Sequence, residues 1–324
     1  MKEFSFSIIV PSFNAANTLP ETLESIVPQL SEHDEIIVVD DGSTDETSDV
    51  MEEWRSSRIR YVRQRNSGGP ASPRNHGIRE AKGSLIALFD SDDIMLPGKL
   101  DAARQAFSHH PDAGLLFTNF STIDESGDVL TPRFLDSYTF TAPFCSENAG
   151  CVRIEPPNAY RALGSENFIG TSGVVIPRKV FDRLGGFDES LANGDDRDLW
   201  FRVTRQEVAL FLPGTYHAYR IGSSSISKGS ARKRTPSKIK VLERQLENPL
   251  DDEFARDIRS LVSDNYCALA YESFQKGEMA RCRAEALQAL GASFSSTGLK
   301  LYLFSFLGSG LVGRIRRLKN WRVR

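Results

Sequence analysis

A short acidic run, Asp90-Ser91-Asp92-Asp93, directly follows the apolar segment 85–89. Carboxylates this close together repel one another unless a cation lies between them. A hard divalent cation, Mn²⁺ or Mg²⁺, suits a site built from oxygen atoms with no histidine or cysteine beside it. Such a cation at a strand end would take a diphosphate as a further ligand. The alternative is an acidic turn that caps a helix beginning near Pro97.

Two further polar segments occur earlier in the chain. Asp40 and Asp41 follow the predicted strand 35–39, and an acid there can accept a hydrogen bond from a nucleobase or a ribose hydroxyl. Arg74 follows the glycine-containing segment 66–70, and an arginine near a helix N-terminus favours an anion such as phosphate. The alternatives are an Asp-rich helix cap at the first segment and a surface turn with a paired Arg74 at the second.

A third acidic segment, 193–200, contains Asp195 and Asp196 at the predicted start of a helix. The helix dipole favours acids in a first turn, which is one explanation for them. The functional interpretation is that one of these carboxylates is a general base. Farther along the chain, Arg220 is either a phosphate ligand or an ordinary surface arginine.

Strand and helix signals alternate through the first hundred residues. Strands are predicted at 6–10, 35–39, 59–62 and 85–89, with helical apolar spacing between them. Ser43 and Ser72 are predicted to cap two of the helices. Such alternation indicates a mainly parallel sheet covered on both faces, which binds ligands outside the carboxyl ends of its strands. The polar segments should therefore converge on one crevice, and the aperiodic segment 131–168 is expected to be a long functional loop.

Composition is typical of a soluble globular protein, with 324 residues, 40% of them hydrophobic and 26% charged. No apolar run reaches the roughly 18 residues of a membrane-spanning helix, and the N-terminus does not resemble a signal peptide. The four cysteines lack C-x-x-C spacing and are expected to be reduced thiols in the cytoplasm. No nucleic-acid partner is expected.

The charge is distributed unevenly. Residues 299–324 contain seven basic residues and no acid, although the net charge of the whole chain is −3. The apolar segment 301–312 precedes most of these charges and suits an interfacial helix on anionic lipid. The alternative is a helix docked on the core with a solvated basic end. We therefore expect a cytoplasmic protein, with peripheral binding to the inner face of the membrane as a hypothesis for the tail.

In this order, the segments resemble family 2 glycosyltransferases of the GT-A fold over about 5–227. The matching motifs are Ser7-Ile8-Ile9-Val10-Pro11-Ser12-Phe13-Asn14, Ile37-Val38-Val39-Asp40-Asp41-Gly42-Ser43-Thr44-Asp45, Arg74-Asn75-His76-Gly77-Ile78, Leu88-Phe89-Asp90-Ser91-Asp92-Asp93, Gly185-Gly186-Phe187-Asp188-Glu189, the acid pair before Asp198-Leu199-Trp200, and Tyr219-Arg220. The Gln-x-x-Arg-Trp motif and membrane helices of processive polysaccharide synthases are absent, which favours transfer of a single sugar.

The resemblance implies a role for each matching residue. The nucleotide-sugar pocket would be formed by Pro11, Ser12, Phe13, Asn14, Asp41, Arg74, Asp90 and Arg220. Within it, Asp41 would hold the base, most often uracil, and Asp90 would face the ribose or the sugar. Asp92 would bind Mn²⁺ or Mg²⁺, and Asp196 would be the base of an inverting reaction. Asp195 stands where the family usually has glutamate, so its role in orienting the acceptor is left open.

The expected function is transfer of one sugar from a nucleotide sugar, UDP-linked by resemblance, to a sugar or lipid-linked acceptor in cell-envelope polysaccharide, lipopolysaccharide or glycoconjugate synthesis. The expected α/β domain, 1–227, has a nucleotide-binding half (1–105) and an acceptor half (106–227). A basic flexible linker (228–238) and a helical region (239–324) follow. The main alternative is a catalytically inactive nucleotide-binding scaffold of an envelope-assembly complex. A nucleotidyltransferase or a Rossmann dehydrogenase is less favoured, because neither type of glycine-rich loop follows the first strand.

Overall fold

The computed structural model describes residues 4–146, 150–222 and 231–306. The chain divides into two compact units, Met1–Leu191 with Asp195–Ser225, and Ala192–Gly194 with Ile226–Arg324. The first unit contains the β-sheet, and the described part of the second consists mainly of helices. All four cysteines are free thiols.

In its described residues, the first unit has one mixed sheet of ten strands. The strands are β1 (Phe6–Ser12), β2 (Glu35–Asp40), β3 (Ile59–Arg63), β4 (Leu85–Leu88), β5 (Ile94–Met95), β6 (Leu115–Ile123), β7 (Val129–Thr131), β8 (Val152–Ile154), β9 (Val175–Pro177) and β10 (Ala209–Arg220). Every residue of β1, β2 and β4 is buried. Burial on both faces explains why these strands are continuous apolar runs rather than alternating ones.

Seven α-helices accompany the sheet in the described part of this unit. They are α1 (Leu19–Ile26), α2 (Thr47–Trp54), α3 (Ala71–Glu80), α4 (Lys99–His109), α5 (Asn158–Leu163), α6 (Arg178–Leu184) and α7 (Asp195–Thr204). The segment predicted as a long loop, 131–168, instead contains two short 3₁₀ helices, β8 and α5 among its irregular stretches. Aromatic pairs such as Phe134 with Tyr138 help to pack it, which periodicity could not reveal.

The sheet order is β3-β2-β1-β4-β9-β6-β10-β5. Strand β1 is parallel to β2 and β4, and β6 is parallel to β10. Between them, β9 runs antiparallel to both β4 and β6. Two reversals restore the original direction, so β1, β2, β4, β6 and β10 all end at the same edge. The predicted mainly parallel α/β sheet is confirmed, and its carboxyl edge gathers the polar segments.

One glycine sets how closely α3 approaches the sheet. A Cβ atom on Gly77 would lie 2.5 Å from Cγ2 of Ile9 and 3.3 Å from Cγ2 of Val39. Only a residue without a side chain therefore allows this packing of α3 on β1 and β2. The close contact at Gly77 holds α3 against the sheet three residues after Arg74.

The second unit contains four helices among its described residues: α8 (Ala231–Glu247), α9 (Asp252–Lys276), α10 (Met279–Ala292) and α11 (Ser296–Phe304). A small core formed by Ala270, Phe274, Cys282, Ala286 and Leu301 holds α9, α10 and α11 together. No helix in the described ranges is long and apolar enough to cross a membrane. The basic cluster predicted within 307–324 lies outside the described residues.

The predicted flexible linker, 228–238, is wrong from Ala231 onward, because α8 begins there. Residues 228–230 lie outside the described residues. In the first turn of α8, Arg232 donates to the hydroxyl of Ser273 at 2.6 Å and to the Glu285 carboxylate at 3.2 Å. Partners some 40 to 50 positions farther along the chain therefore anchor a helix whose local composition of glycine, serine and basic residues indicated a linker.

Candidate active site

At the end of β2, the Asp41 carboxylate is buried and held by three donors. Its Oδ1 accepts from Gln64 Nε2 at 2.7 Å, and its Oδ2 accepts from the backbone N–H and the hydroxyl of Ser67, each at 2.9 Å. Gln64 is itself fixed, since its Oε1 lies 2.8 Å from Nδ1 of His76. A carboxylate offers about four acceptor positions, so one remains for a donor from a ligand. Sequence reasoning singled out Asp41 but missed Gln64 and His76, which orient it.

The segment after β1 lies beside Asp41. Pro11 and Ser12 are buried in the strand itself, and the Ser12 carbonyl accepts from the Asp41 N–H at 2.8 Å. Phe13, by contrast, is 51% exposed, and Asn14 adopts a left-handed conformation with φ 51°. The Asn14 side chain accepts from the backbone N–H of Thr44 at 2.8 Å. The Phe13 ring is thus exposed, next to a backbone that the Asn14–Thr44 hydrogen bond holds.

Arg74 is the central cation of the site. Its side chain is only 6% exposed, and its two terminal nitrogens contact Asp90 at 2.7 Å and Asp195 at 3.1 Å. Burial alone would lower the pKa of Arg74, but the Asp90 and Asp195 charges outweigh it and raise that pKa above its usual value. A single buried guanidinium thus joins the turn after β4 to the first residue of α7, across 121 positions of sequence.

The two adjacent acids at the head of α7 differ in environment. Asp195 is 3% exposed, and its burial, opposed by the Arg74 charge, raises its pKa to about 6. Asp196 is partly exposed, and its Oδ1 accepts from the N–H of Arg197 at 2.7 Å. Asp195 is therefore committed to Arg74, while Asp196 is the carboxylate of this pair that solvent, or a substrate, can reach.

The turn that follows β4 carries the remaining carboxylates. Asp92 is exposed as a residue, but neighbouring protein atoms partly exclude water from its carboxylate. This desolvation, together with the Asp90 charge, raises the pKa of Asp92 to about 6. Within the described ranges no cluster of three or more His, Cys, Asp or Glu residues is arranged to hold a metal ion. Magnesium typically binds one or two carboxylates together with substrate phosphates, so an accessible Asp92 beside Asp90 fits such an ion without a complete protein cage.

Behind this turn lies a buried charge that sequence reasoning missed. Lys99 is 1% exposed, its ammonium donates to the carbonyl of Ser172, and it sits 4.8 Å from the centre of the Phe89 ring. Burial lowers the pKa of Lys99 to about 7, against the opposing effect of the Asp93 charge. The buried imidazole of His217 has its pKa lowered by burial and by the Lys99 charge. Nothing in the local sequence distinguishes Lys99 from a surface lysine at the start of a helix.

Arg220, at the end of β10, is 8% exposed and engaged with protein oxygens. Its Nε donates to the Asp92 carbonyl at 3.0 Å, and its Nη2 donates to the Glu21 carboxylate at 2.6 Å. Its Nη1 donates to the carbonyls of Asp124 and Glu125 at 3.3 Å. Four of the five guanidinium N–H groups thus have partners within the protein. This arrangement does not favour the predicted contact between Arg220 and a diphosphate.

The structural comparison defines the fold. The crystal structure of S. aureus TarS 1-349 in complex with UDP-GlcNAc matches with a TM-score of 0.69 and 17% sequence identity, over 98% of this chain and 93% of that one. The same S. aureus protein in complex with UDP matches with a TM-score of 0.57. The mixed, mainly parallel sheet with C-terminal helices is thus the GT-A fold of glycosyltransferases such as TarS.

Sequence comparison defines the family. The family profile described as Glycosyl transferase family 2 matches residues 7–161. Glycosyltransferase GlyG of Streptococcus pneumoniae serotype 4 is 37% identical over 225 residues, which are 68% of this chain and 72% of that protein. This chain belongs to glycosyltransferase family 2.

Two other relatives differ in length and in how they are described. An uncharacterised glycosyltransferase of Rickettsia felis is 31% identical over 68% of this chain, which spans only 35% of that relative. The Escherichia coli UDP-Glc:alpha-D-GlcNAc-diphosphoundecaprenol beta-1,3-glucosyltransferase WfgD is 27% identical over 77% of this chain and 90% of its own length. The family is therefore shared by proteins of different lengths.

Proposed function

We propose that this protein transfers a single sugar from a UDP-sugar to an acceptor hydroxyl, with inversion at the anomeric carbon. The observation that carries the proposal is the contact of Arg74 with both Asp90 and Asp195, which joins the expected donor-sugar side to the head of α7. In the reaction, the acceptor oxygen forms a bond to the anomeric carbon while the bond from that carbon to the diphosphate breaks. The hydroxyl proton passes to Asp196, and the electron pair leaves with UDP.

Recognition of uridine is proposed for the crevice between β1 and β2. A carboxylate can only accept hydrogen bonds, so Asp41 selects a base that presents an N–H group, as uracil does at N3. The exposed Phe13 ring offers a face on which the base can stack. The nucleotide-binding half would thus be 1–105, with the acceptor bound by 106–227.

Asp92 is the proposed protein ligand of Mn²⁺ or Mg²⁺, with Asp90 beside it. The donors are oxygen atoms only, and a cation would oppose both the desolvation and the Asp90 repulsion that raise the Asp92 pKa. When bound, the cation supplies positive charge to stabilise the departing diphosphate. Arg74 adds a fixed charge of the same sign next to Asp90 without needing to move.

Asp196 is the proposed general base because it is the accessible member of the acid pair. Asp195 would act indirectly by holding Arg74. We expect Asp196→Asn to bind UDP as the wild type does and to lose about 10²–10⁴ in turnover of the donor sugar. Release of UDP from a panel of UDP-sugars measures turnover, and calorimetry measures UDP binding.

Asp182→Asn, an exposed acid on α6, is the matched control for this experiment. Full turnover by Asp196→Asn would remove it as the base. If the wild-type protein binds nucleotide but turns over no donor sugar with any acceptor, the result would instead favour the inactive scaffold.

A lipid-linked acceptor of cell-envelope synthesis is proposed by analogy with the Escherichia coli relative, whose name specifies a diphosphoundecaprenol-linked acceptor. Such an acceptor would be met at an anionic membrane surface. In α11, Leu299 and Leu303 are exposed and four residues apart, so they share one face, and the exposed Phe306 follows the end of the helix. Six basic residues follow in sequence from Arg314 onward.

Vesicle flotation tests the membrane hypothesis, with anionic and zwitterionic liposomes compared. We expect flotation with anionic vesicles and its loss when 299–324 are removed. Replacement of Leu299 and Leu303 by serine is a milder variant, and replacement of the exposed Val129 and Leu130 on β7 is its control. Equal flotation of all variants would contradict a membrane role for this segment.

A further inference from the structure

The turn proposed to hold the cation is tied to the end of β10 in both directions. From β10, the Arg220 side chain donates to the backbone carbonyl of Asp92 at 3.0 Å. From the turn, the Asp93 carboxylate accepts from the backbone N–H of Arg220, also at 3.0 Å. Each residue thus uses its side chain to satisfy the backbone of the other segment, 127 positions away. A reciprocal pair of this kind fixes both the distance and the orientation of the two segments.

Helix α1 adds two further contacts to the same arrangement. The Glu21 carboxylate accepts from Nη2 of Arg220 at 2.6 Å, and the Thr22 hydroxyl donates to the carbonyl of Asp93 at 2.9 Å. The guanidinium therefore sits between a carboxylate on one side and the Asp92 carbonyl on the other. Glu21 is 53% exposed, so it holds the largely buried Arg220 from the protein surface.

The opposite side of the turn is supported by the segment before β9. The hydroxyl of Ser172 accepts from the backbone N–H of Asp90 at 3.0 Å, and the carbonyl of Ser172 accepts from the buried Lys99 ammonium. The turn is thus held from several sides by parts of the chain that are distant in sequence. What remains exposed is Asp92, the residue that the proposed function assigns to the cation.

We propose that Arg220 and Asp93 are positioning residues: they form a clamp that holds Asp92 in place for the divalent cation, and Arg220 does not bind the diphosphate. The proposal rests on the proposed function, because the cation and the diphosphate belong to it. It also gives Asp93 a role that its neighbours Asp90 and Asp92 do not share. Outer partners that orient a metal ligand typically contribute about 10- to 100-fold in metal affinity.

A comparison of three variants tests the clamp against direct phosphate binding. Arg220→Gln removes the guanidinium, Glu21→Gln keeps it but weakens its outer anchor, and Glu24→Gln is the matched control, one turn along α1 and exposed. The measured quantities are the dissociation constant of UDP in EDTA and the Mn²⁺ concentration that gives half-maximal enhancement of UDP binding.

We expect Arg220→Gln to raise the required Mn²⁺ concentration about tenfold or more, and Glu21→Gln to raise it by a smaller factor. UDP affinity in EDTA should stay within about twofold of the wild type in both, because neither side chain would contact phosphate. Glu24→Gln should change neither quantity. Weaker UDP binding in EDTA for Arg220→Gln, with no effect of Glu21→Gln, would overturn the clamp and identify Arg220 as a phosphate ligand.

Hydrogen exchange separates this proposal from the proposed function. If the wild type binds no UDP, or binds it equally with and without Mn²⁺, the proposed donor or cation is wrong. Hydrogen exchange then remains the test of the clamp. The clamp predicts faster exchange of the amides of 90–95 in Arg220→Gln and Glu21→Gln than in Glu24→Gln. Unchanged exchange in these amides would refute it whatever the ligand.

Discussion

The buried contacts of Arg74 lead to a quantitative prediction for the variant Arg74→Met. Methionine keeps much of the side-chain volume and can still pack against Phe187, whose ring centre lies 5.3 Å from the guanidinium. It removes the charge that faces Asp90 and Asp195. Taking one partner from a buried ion pair typically costs about 3–5 kcal/mol. We expect a loss near the lower end, about 3 kcal/mol at pH 7.5, because the Asp90 side chain is 28% exposed and can be rehydrated.

The loss should depend on pH in a defined direction. With Arg74 present, the pKa of Asp195 is about 6, above the ordinary aspartate value of 3.8. Without Arg74 this pKa rises further, so the folded variant holds a proton that the folded wild type releases above pH 6. The difference in stability should therefore grow as pH rises above 6, by at most about 1.4 kcal/mol per pH unit. It should be smallest near pH 5, where Asp195 is mostly protonated in both proteins.

Urea unfolding in EDTA without nucleotide, at pH values from 5 to 8, measures this difference. The companion variants are Asp195→Asn and the double variant of Arg74 and Asp195. Because the two residues are in contact, the double variant should be more stable, by at least about 1 kcal/mol, than the sum of the two single changes in stability predicts. A loss for Arg74→Met below about 1 kcal/mol, a loss that does not vary with pH, or strict additivity would each refute the reasoning.

Three further predictions concern single residues. Burial raises the folded pKa of Asp195 from 3.8 to about 6, so the wild type should lose about 3 kcal/mol of stability as pH rises from about 4 to 6. Asp195→Asn should remove this pH-dependent loss. An unchanged pH profile of unfolding would contradict the prediction. Phe13→Ala should weaken UDP binding by about 1–3 kcal/mol in calorimetry through lost stacking, with no change in melting temperature because the ring is 51% exposed. Gly77→Ala should lower the free energy of unfolding by about 1–3 kcal/mol in urea, because its Cβ would lie 2.5 Å from a methyl group of Ile9; wild-type stability would show that α3 can shift.

The sequence by itself determined the alternation of strands and helices in the first unit and the edge at which its polar segments gather. The apolar runs have the length of strands, and the segments between them have apolar residues at helical spacing. This alternation is compatible with few folds other than a parallel sheet covered by helices on both faces. Parallel strands end at one edge, so Asp41 and Asp90 had to lie there. The direction of the strands and the location of these two acids could therefore be predicted without knowledge of any tertiary contact.

Local chemistry was less decisive where a side chain had a choice of partners. Ser43 was predicted to cap the second helix, but its hydroxyl accepts from the N–H of Asn14 at 2.9 Å, and α2 begins later, at Thr47. Residues 231–238 have the composition of a linker, yet they are helical because Arg232 finds its partners on α9 and α10. Both predictions were wrong because they inferred the role of a polar residue from its neighbours in sequence alone.

Only the tertiary structure decided which charges are buried and what they face. Arg74 and Asp195 are 121 positions apart, and Arg220 and Asp93 are 127 apart. Lys99 is buried beside a carbonyl that no local pattern identifies. The free energy of a buried charge depends on its distance to partners and on its exclusion from water, and neither quantity is a property of a sequence segment. The sequence thus located the candidate acids, together with Arg74 and Arg220, and the fold showed which charges face one another.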